Sequence, residues 1–563
     1  MDWIIAKPDP ALVRDLARSL DISGTIATLL ANRGIRDSEE GFRFLHPKME
    51  FLGNPFLMRD MSVAVDRIFA GKEAKEKILI YGDYDVDGTT AVVILRKALE
   101  MLGAEVSYHI PRRFLDGYGM NSQVVRQAAL DGVRLIISVD TGIKAFEVVE
   151  TANALGIDCI ITDHHLPDHG LPRALAVLNP NRVDCGYPDK NLCGVGVAFK
   201  LVQALFMKAG LDRHLLSFLK IVALGTIADV VPLVGENRVF AKIGLEGLRS
   251  PVNFGLKSLI KVCGLDCRSI TSFDVGYRLA PRINAVGRMG GGGQVVELFS
   301  SADSERSRHL AGEMDRLNRD RQQIELQILK EVDDRFNATP DLTKEWMIVI
   351  DGDSWHRGVL GIVATKISER YTRPAIVIAR ENGVGYGSGR SPKGFHLLNA
   401  LESCCELFDR YGGHAQAVGF QLPTHHIVEL RQRLSAYASQ VLDEKDLQPR
   451  LDVDVELRLS DLDDEIYRQM ECLSPFGTAN PQPILAARDI TVIAEPRVLK
   501  GKHLKFRVEQ DGKSFDAVGW NFAESHPQIL QNKSRVSLAF ALTSNAYQGM
   551  TALQLNVKDI HAQ

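Results

Sequence analysis

The chain has 563 residues, which is too long for one hydrophobic core and predicts three or four domains. Hydrophobic residues make up 45% of the chain and charged residues 25%, a composition that excludes extensive disorder. The net charge of −4 excludes a uniformly basic nucleic-acid binder, so any basic site must be local.

Nothing in the sequence indicates export or membrane insertion. The first ten residues, MDWIIAKPDP, lack a basic segment followed by a long apolar run, so we expect no signal peptide. No apolar run approaches the roughly 20 residues that a membrane helix needs. The 8 cysteines form no CxxC pair, which is typical of reduced cytoplasmic thiols and not of a disulfide framework or a zinc site. We therefore expect a cytoplasmic protein without a membrane partner.

The first half of the chain predicts a small helical segment over residues 1–45 and then an α/β domain over 46–299. Short apolar strands alternate here with helical segments, which is the pattern of βαβ units around a buried parallel sheet. The predicted strands are KILIY, EVSYHI, RLIISV, DCIIT and ALAVLNP. Two apolar helices, VGVAFKLVQALFMKAG and HLLSFLKIVALGTIADV, follow the last strand.

The second half predicts a long helix, another α/β domain and a strand-rich end. Apolar residues at helical spacing between 300 and 340 predict a connecting helix; they are Leu310, Met314, Leu317, Ile324, Ile328 and Val332. Residues 341–447 resume the α/β pattern, beginning with WMIVIDGD. Residues 448–563 contain about five strands with glycine turns, which indicates a small barrel of the OB type.

Acids and histidines follow three of the predicted strands. The segments are YGDYDVDGTTA with Asp83, Asp85 and Asp87, SVDTG with Asp140, and TDHH with Asp163, His164 and His165. The carboxyl ends of parallel strands lie at one edge of a sheet, where α/β proteins bind ligands, so we expect these groups to meet. Asp229, in GTIADVVPL, follows a helical run and is a further candidate.

Carboxylates this close repel one another unless a cation lies between them. Carboxylates with one or two imidazoles and no thiolate suit Mn²⁺ or Mg²⁺ better than zinc. Two such ions, ~3.5–4 Å apart, activate a water and stabilise the leaving oxygen in phosphoryl transfer. Each segment alone has a simpler explanation: Asp140 could cap a turn, and Asp-His-His could be a solvated loop. The DxDxDG run could bind calcium, but the glutamate of that motif is missing and a strand precedes it. Their shared location favours a metal site.

The same segments resemble motifs of the DHH phosphoesterase superfamily. They are GDYDVDGTTA, VDTG, TDHH and GTIADVVPL. Four more, RLAPRINAVGRM, HRGVLGIVA, GSGRS and GGHAQAVGF, are similar to the RecJ branch, whose members are exonucleases that degrade single-stranded DNA from the 5′ end. The resemblance covers residues from about 50 to 563. It implies a catalytic DHH domain, a DHH-associated second α/β domain and a trailing OB-like domain.

The resemblance also implies which residues form the site. Two Mn²⁺ or Mg²⁺ ions would lie among Asp83, Asp85, Asp87, Asp140, His164, His165 and Asp229. His165 either binds a metal or orients the scissile phosphate. Pyrophosphatases of the superfamily have a histidine where this chain has Tyr81, which counts against that activity.

Cations in the RecJ-like motifs are candidate contacts to DNA phosphates, although any one arginine could equally form a surface ion pair. The candidates are Arg113, Arg282, Arg288, His356, Arg357, Arg390 and His414, together with the hydroxyl of Ser388. A hydroxyl beside an arginine suits a terminal 5′-phosphate, which favours Ser388 and Arg390 for that role. In the OB-like region LKGKHLKFR interleaves Lys502 and Lys505 with Phe506, a pattern typical of a single-strand groove or of a solvated strand edge.

The sequence therefore predicts a metal-dependent 5′→3′ exonuclease for single-stranded DNA that releases 5′-mononucleotides and acts in DNA repair and recombination. The resemblance implies that a crevice between the two α/β domains holds the strand. It also implies a monomer whose partners are a single-strand-binding protein and a helicase. The alternatives are a short-oligonucleotide or nucleotide phosphoesterase of the same superfamily and a non-catalytic replication scaffold. Phosphoesterases of that kind typically end after the second α/β domain, whereas this chain continues for more than 100 residues. A non-catalytic scaffold would have lost some of the motif acids.

Overall fold

The computed structural model describes residues 1–563 except 112–118, 169, 267, 290, 524–534, 548–549 and 563. The chain divides into two compact units. Residues Met314–Leu451, together with Met1–Asp2, form what we call the small unit. Residues Trp3–Glu313 and Asp452–Gln563 form the large unit. No described helix combines the length and the apolar character that crossing a bilayer requires.

The chain begins with the predicted helical segment. Its elements are β1 (Asp2–Ile5), α1 (Pro10–Leu20), α2 (Gly24–Asn32) and α3 (Ser38–Leu45). Each of these helices begins after a capping residue whose side chain accepts a hydrogen bond from a backbone N–H of the first turn. The bond satisfies one of the N–H groups that a helix start leaves unpaired. These capping residues are Asp9, Ser23 and Asp37.

A five-stranded parallel sheet in the order β3-β2-β4-β5-β6 lies within the predicted α/β domain, which is part of the large unit. Its strands are β2 (Lys77–Tyr81), β3 (Glu105–His109), β4 (Val133–Val139), β5 (Asp158–Thr162) and β6 (Ala176–Leu178). The helices around them are α4 (Met61–Glu73), α5 (Val86–Met101), α6 (Ser122–Leu130) and α7 (Phe146–Ala154). Ile80, Ile136 and Ile160 are fully buried because helices cover both faces of the sheet.

Helices follow the last strand of the sheet. They are α8 (Gly194–Ala209), α9 (Leu219–Ala228), α10 (Gly235–Gly247), α11 (Phe254–Val262), α12 (Ser272–Asp274), a π-helical turn (Val275–Leu279), α13 (Ala280–Met289) and α14 (Gly293–Ser300). Helices α8 and α9 pack against α5, the helix that begins within the Asp83–Asp87 loop. Because α5 begins just after β2, this packing places α8 and α9 near the carboxyl end of that strand.

The long helix α15 (Ser304–Ala338) has 35 residues and confirms the predicted connecting helix. Leu310, Met314, Ile328 and Val332 are buried along it. The small unit continues with β7 (Ile348–Asp353), α16 (Leu360–Tyr371), β8 (Ala375–Glu381), β9 (Val384–Arg390), α17 (Leu397–Glu402), β10 (Arg410–Gly413), β11 (Ala417–Pro423) and α18 (Ile427–Val441). The strands form one sheet in the order β10-β11-β9-β8-β7, in which only the β7–β8 pair is parallel.

The C-terminal region of the large unit is the predicted OB-like barrel. The strand β12 (Arg450–Val453) precedes it and forms a separate two-stranded sheet with β1. The elements of the barrel region are β13 (Val455–Glu456), α19 (Asp464–Cys472), β14 (Leu485–Val492), β15 (Arg497–Leu499), β16 (His503–Gln510), β17 (Lys513–Gly519), β18 (Arg535–Tyr547) and β19 (Met550–Ala562). The sheet order is β13-β14-β18-β19-β17-β16-β15. A further pairing of β14 with β16 closes the barrel.

The barrel and the N-terminal helices share one hydrophobic core. Leu16, Ile26 and Leu30 belong to the same buried cluster as barrel residues such as Leu504. The sequence did not predict this contact. Phe506 also lies in the cluster with a 3% exposed side chain. The predicted base-stacking role of Phe506 therefore needs correction, because its ring faces the barrel interior.

Candidate metal centre

The loop after β2 holds three acids by backbone hydrogen bonds. Asp83 accepts one from Tyr84 N (2.8 Å), and Asp85 caps α5 by accepting one from Gly88 N (3.0 Å). Asp87, in the first turn of α5, accepts bonds from Gly194 N (2.6 Å) and Val195 N (2.8 Å) at the start of α8. Backbone N–H groups of the loop and of two helix starts thus help to fix these carboxylates.

Asp140 follows β4 and has a left-handed backbone conformation, with φ of +59°. Its side chain is buried at 2% exposure. A Cβ atom at Gly194 would lie 2.4 Å from Asp140 Oδ1, so only glycine allows the start of α8 to pack this closely. Burial, followed by the charges of Asp87 and Asp85, raises the pKa of Asp140 well above its usual value.

Asp163, His164 and His165 follow β5, as the sequence predicted. Asp163 accepts hydrogen bonds from Ile143 N (2.9 Å) and pairs with His165 Nδ1 (2.7 Å). Burial would raise the pKa of Asp163, but its bond with His165 holds that pKa below the usual range. His164 points the other way: its Nε2 atom lies 3.3 Å from Asp140 Oδ1 and 3.7 Å from an oxygen of Asp229. Burial and the neighbouring His165 lower the pKa of His164 to about 4, so its imidazole is neutral at pH 7 and suited to bind a metal.

Two asparagines that the sequence analysis missed hold this loop in place. Asn179 Nδ2 donates to the carbonyl of His165 (2.8 Å), and Asn181 Nδ2 donates to the carbonyl of His164 (2.7 Å). Both follow β6, so the strand-end rule that selected the acids would also have found them in LNPN.

Asp229 is the C-cap of α9, and the packing of α9 on α5 brings it to the acids. Burial, followed by the charges of Asp87 and Asp85, raises the pKa of Asp229 to about 9. Burial, followed by the charge of Asp85, raises the pKa of Asp87 to about 7. Within the described chain, the buried atoms Asp140 Oδ1 and Asp229 Oδ2 find no hydrogen-bond donor. A buried carboxylate oxygen without a donor is costly, and a cation would remove that cost.

The predicted ligands fit a divalent metal. Three sets have ligand atoms within 4.8 Å of one another: Asp140, His164 and His165; Asp87, His164 and Asp229; and Asp83, Asp85 and Asp140. Carboxylate oxygens and a neutral imidazole are ligands for Mn²⁺ and Mg²⁺. The structure thus brings together all seven residues that the sequence assigned to the metal site.

The small unit brings Ser388 and Arg390 together on β9, with Arg390 Nη1 3.4 Å from Ser388 Oγ. A Cβ atom at Gly361, in the first turn of α16, would lie 3.0 Å from Arg390 Nη2 and 3.2 Å from Ser388 Oγ. The pair therefore adjoins a helix N-terminus, where backbone N–H groups favour anions.

The other cations of the small unit differ in their surroundings. Arg357 forms an ion pair with Glu381, and its guanidinium carbon lies 3.1 Å from the centre of the Tyr386 ring. His356 Nδ1 accepts a hydrogen bond from Gly358 N (3.1 Å). His414 is exposed just after β10.

In the large unit, Arg282 and Arg288 are half-buried on α13, and Arg282 donates to the carbonyl of Arg278 (2.7 Å). A Cβ atom at Gly287 would lie 2.5 Å from Tyr84 O, so this helix contacts the metal loop immediately before Arg288. Arg113 lies outside the described residues.

On the barrel, Lys502 is exposed, whereas Lys505 pairs with Asp516 at 2.9 Å. The exposed aromatic residue next to them is Trp520, not Phe506. Trp520 is 56% exposed and packs edge-on against His503 with ring centres 4.7 Å apart. The sequence analysis missed Trp520, which directly follows β17 in VGWNF.

Comparisons with known proteins agree with this architecture. Residues 77–226 match the DHH family N-terminal domain, residues 344–440 match the DHHA1 domain, and residues 453–559 match the RecJ OB domain. The single-stranded-DNA-specific exonuclease RecJ of Bacillus subtilis is 39% identical over 99% of this chain and 70% of its own length. The Escherichia coli RecJ is 33% identical over 97% of this chain and 98% of its own length.

Solved structures give the same result. The crystal structure of Thermus thermophilus RecJ with Mn²⁺ matches all of this chain and 80% of that chain, with 29% identity and a TM-score of 0.86. The structure of the same protein with Mg²⁺ has a TM-score of 0.80 and 28% identity. The sequence identity, the three domains and the shared fold place the chain in one family. The protein belongs to the RecJ family of single-stranded-DNA-specific exonucleases.

Proposed function

We propose that this protein is an exonuclease, dependent on Mn²⁺ or Mg²⁺, that removes 5′-mononucleotides from the 5′ end of single-stranded DNA. The observation that carries the proposal is the pair of buried oxygens, Asp140 Oδ1 and Asp229 Oδ2, near the neutral ring of His164. Membership of the RecJ family supports the substrate, and the metals in the Thermus thermophilus structures support the cofactor.

Each residue of the centre has a role in this proposal. The metal ligands would come from Asp83, Asp85, Asp87, Asp140, His164, His165 and Asp229. Two ions bound there would supply an activated water and stabilise the leaving 3′ oxygen. Asp163 fixes the ring of His165 by their 2.7 Å contact. Burial opposes the charge on His165, but the bond to Asp163 raises the pKa of His165. In this protonated form His165 would not bind a metal and would instead donate to an oxygen of the scissile phosphate.

In this proposal, the 5′→3′ direction of degradation depends on Ser388, Arg390 and the N-terminus of α16, which would recognise the terminal 5′-phosphate. A terminal phosphate carries about one more negative charge than an internal phosphodiester near neutral pH. A guanidinium, a hydroxyl and the N–H groups of a helix start can recognise that charge by charge-assisted hydrogen bonds. The lack of a side chain at Gly361 lets the helix start lie close to both groups.

The experiment compares initial rates on 5′-phosphorylated and 5′-hydroxyl single strands in Mn²⁺. We expect Arg390→Ala to lower the preference for the phosphorylated strand by about tenfold, since one such bond contributes roughly 1.5–3 kcal/mol. Arg370→Ala, on the same helix as Gly361 but ion-paired to Asp333, is the matched control. An unchanged ratio in Arg390→Ala, or wild-type digestion from the 3′ end, would contradict the proposal.

The barrel would extend the path of the strand through Lys502, Lys505 and Trp520. This extension also separates the proposal from its main alternative, a short-oligonucleotide phosphoesterase. Timed digestion of a long labelled single strand and of dinucleotides, with Mn²⁺ and with EDTA, distinguishes the two. The non-catalytic scaffold is disfavoured because every predicted metal acid is present at the centre. The cytoplasmic location, the monomeric state, the role in repair and recombination, and the partners (a single-strand-binding protein and a helicase) stay predictions.

A further inference from the structure

Two aromatic side chains stand exposed on the large unit outside the metal centre. Phe273 on α12 is 58% exposed, and Tyr277 in the π-helical turn is 72% exposed. Their rings stack with centres 4.6 Å apart and planes 26° apart. Exposing two large rings side by side leaves a flat apolar surface on which a third planar group could stack.

Hydrogen bonds hold the backbone beneath the pair. Thr271 and Asp274 form a reciprocal capping box at the start of α12. Between them, Ser272 Oγ donates a 2.5 Å hydrogen bond to the carbonyl of Phe476. A backbone held by such bonds lowers the entropic cost of ordering the rings against a ligand.

The pair is flanked by cations. Arg278 is adjacent in sequence to Tyr277, and its side chain is 40% exposed. Asp274 lies 3.4 Å from Arg278 and neutralises part of its charge, so Arg278 alone is a weak anion site. Arg282 lies one turn further along and donates to the carbonyl of Arg278. Exposed aromatic rings beside arginines are the combination that binds unpaired nucleic acid strands.

The same helical run leads to the metal centre. The π-helical turn packs against α9, which ends at the metal-site residue Asp229. Ten residues after Tyr277, Gly287 contacts the metal loop at Tyr84. At ~1.5 Å per helical residue, this separates the aromatic pair from that contact by about 15 Å, a distance of a few nucleotides.

We propose that Phe273 and Tyr277 form a stacking platform for unpaired bases a few nucleotides from the scissile bond. The inference rests on the proposed function, because it needs a single strand at the metal centre. Stacking tolerates any base, as a sequence-independent nuclease requires. Bases inside a duplex cannot reach such a surface, so the platform would contribute to the preference for single strands.

Binding of a labelled single strand to the full-length chain tests the platform, with EDTA present to prevent cleavage. Stacking is worth ~1–3 kcal/mol per base, so we expect the Phe273→Ala, Tyr277→Ala double variant to bind about tenfold more weakly. Tyr277→Trp should retain affinity, and Tyr277→Leu should lose it while keeping an apolar side chain. Phe254→Ala, which removes a 40% exposed ring elsewhere on the unit, is the matched control.

Strands with single abasic sites give the decisive comparison. At the position that stacks on the platform, loss of the base should weaken binding by the wild type but not by the double variant. In Mn²⁺, the double variant should show a raised KM on long strands and an unchanged kcat on dinucleotides. Unchanged affinity of the double variant or of Tyr277→Leu, or equal abasic effects in both proteins, would overturn the platform and favour a surface for a protein partner. A wild type that does not bind single strands would instead overturn the proposed function.

Discussion

The backbone N–H of Leu233 donates a 2.9 Å hydrogen bond to the carbonyl of Thr478. Leu233 is 2% exposed and belongs to the loop that follows the metal-site residue Asp229, whereas Thr478 precedes the barrel strand β14. The barrel domain therefore helps to hold a loop of the catalytic domain, although it supplies none of the predicted metal ligands.

Gly477→Ala tests this connection. A Cβ atom at Gly477 would lie 2.7 Å from Leu233 Cδ1, so the buried Leu233 side chain must move, and we expect the loop that carries it to move as well. We expect a higher Mn²⁺ concentration for half-maximal activity and a loss of about 1–3 kcal/mol in the free energy of unfolding, typical of overpacking. Gly312→Ala, at a position with nothing within 4 Å, is the control. An unchanged Mn²⁺ titration would show that the loop tolerates the shift without effect on the metal.

Arg238 makes a second connection between the same regions. It is 1% exposed, and its guanidinium donates to the carbonyls of Phe44 (2.6 Å), Ser474 (3.1 Å) and Cys472 (3.2 Å). These carbonyls belong to the N-terminal helices and to the segment before the barrel. The cation is thus paired with backbone dipoles from two distant parts of the chain.

We predict that Arg238→Met lowers the free energy of unfolding by about 2–4 kcal/mol, because it leaves buried carbonyls without donors at ~1–3 kcal/mol each. Arg238→Lys should recover little of this, since an ammonium cannot reproduce the planar fork of donors. Denaturant unfolding measures the effect, with the exposed Arg249→Met as control. A loss below about 0.5 kcal/mol would mean that relief from burying the charge offsets the lost bonds.

Asp140→Asn should inactivate the enzyme and stabilise the metal-free fold. Because burial and neighbouring acids raise the pKa of Asp140, its ionisation near neutral pH opposes folding. Asparagine tolerates the left-handed backbone at this position and removes the charge. We expect a higher Tm in EDTA, a smaller Tm increase on adding Mn²⁺, and activity at least about 100-fold lower. Asp212→Asn, at an exposed acid, is the control. Retained activity together with a full Mn²⁺ response would remove Asp140 from the centre.

Most of the metal centre could be predicted, because most of its residues directly follow strands that can be recognised from the local sequence. Asp83, Asp140 and His164 each follow a strand, and the strands of a parallel sheet end on one edge. Asp229 does not follow this rule: the sequence analysis named it only as a further candidate after a helical run, because its position depends on the packing of α9 against α5. The positioning role of Asn179 was not predicted, because its amide bonds a backbone carbonyl and is not one of the carboxylate or imidazole ligands that the pattern selects.

Contacts between distant parts of the chain were not predictable. Asn32 donates to the carbonyl of Asp454, 422 residues away, and no local pattern signals such a bond. The placement of Phe506 could have been predicted. Leu504, Phe506 and Val508 alternate with charged residues, and a strand period of two places all three on the inner face.

The exposed face of the barrel gives the last prediction. The ring of Trp520 is exposed to solvent. Ala523, three residues after Trp520, donates a 3.2 Å backbone hydrogen bond to the carbonyl of Lys502, which brings the two segments together. We expect Trp520→Ala to weaken binding of long single strands by about five- to tenfold, because it removes one stacking site. Cleavage of dinucleotides should be unchanged, because Trp520 is not among the residues that could hold the metal. Deleting the whole barrel would not be an equivalent test, because its core contains the N-terminal helices.

Binding of a long strand and dinucleotide turnover, measured on the same preparations, decide the outcome. Phe506→Leu is the matched control, since it alters an aromatic residue of the same domain that faces inward. This variant should have a lower Tm, but its folded form should bind long single strands with unchanged affinity. Equal losses on long strands and dinucleotides in Trp520→Ala would assign the barrel a structural role only. A loss confined to long strands would place their path across Trp520.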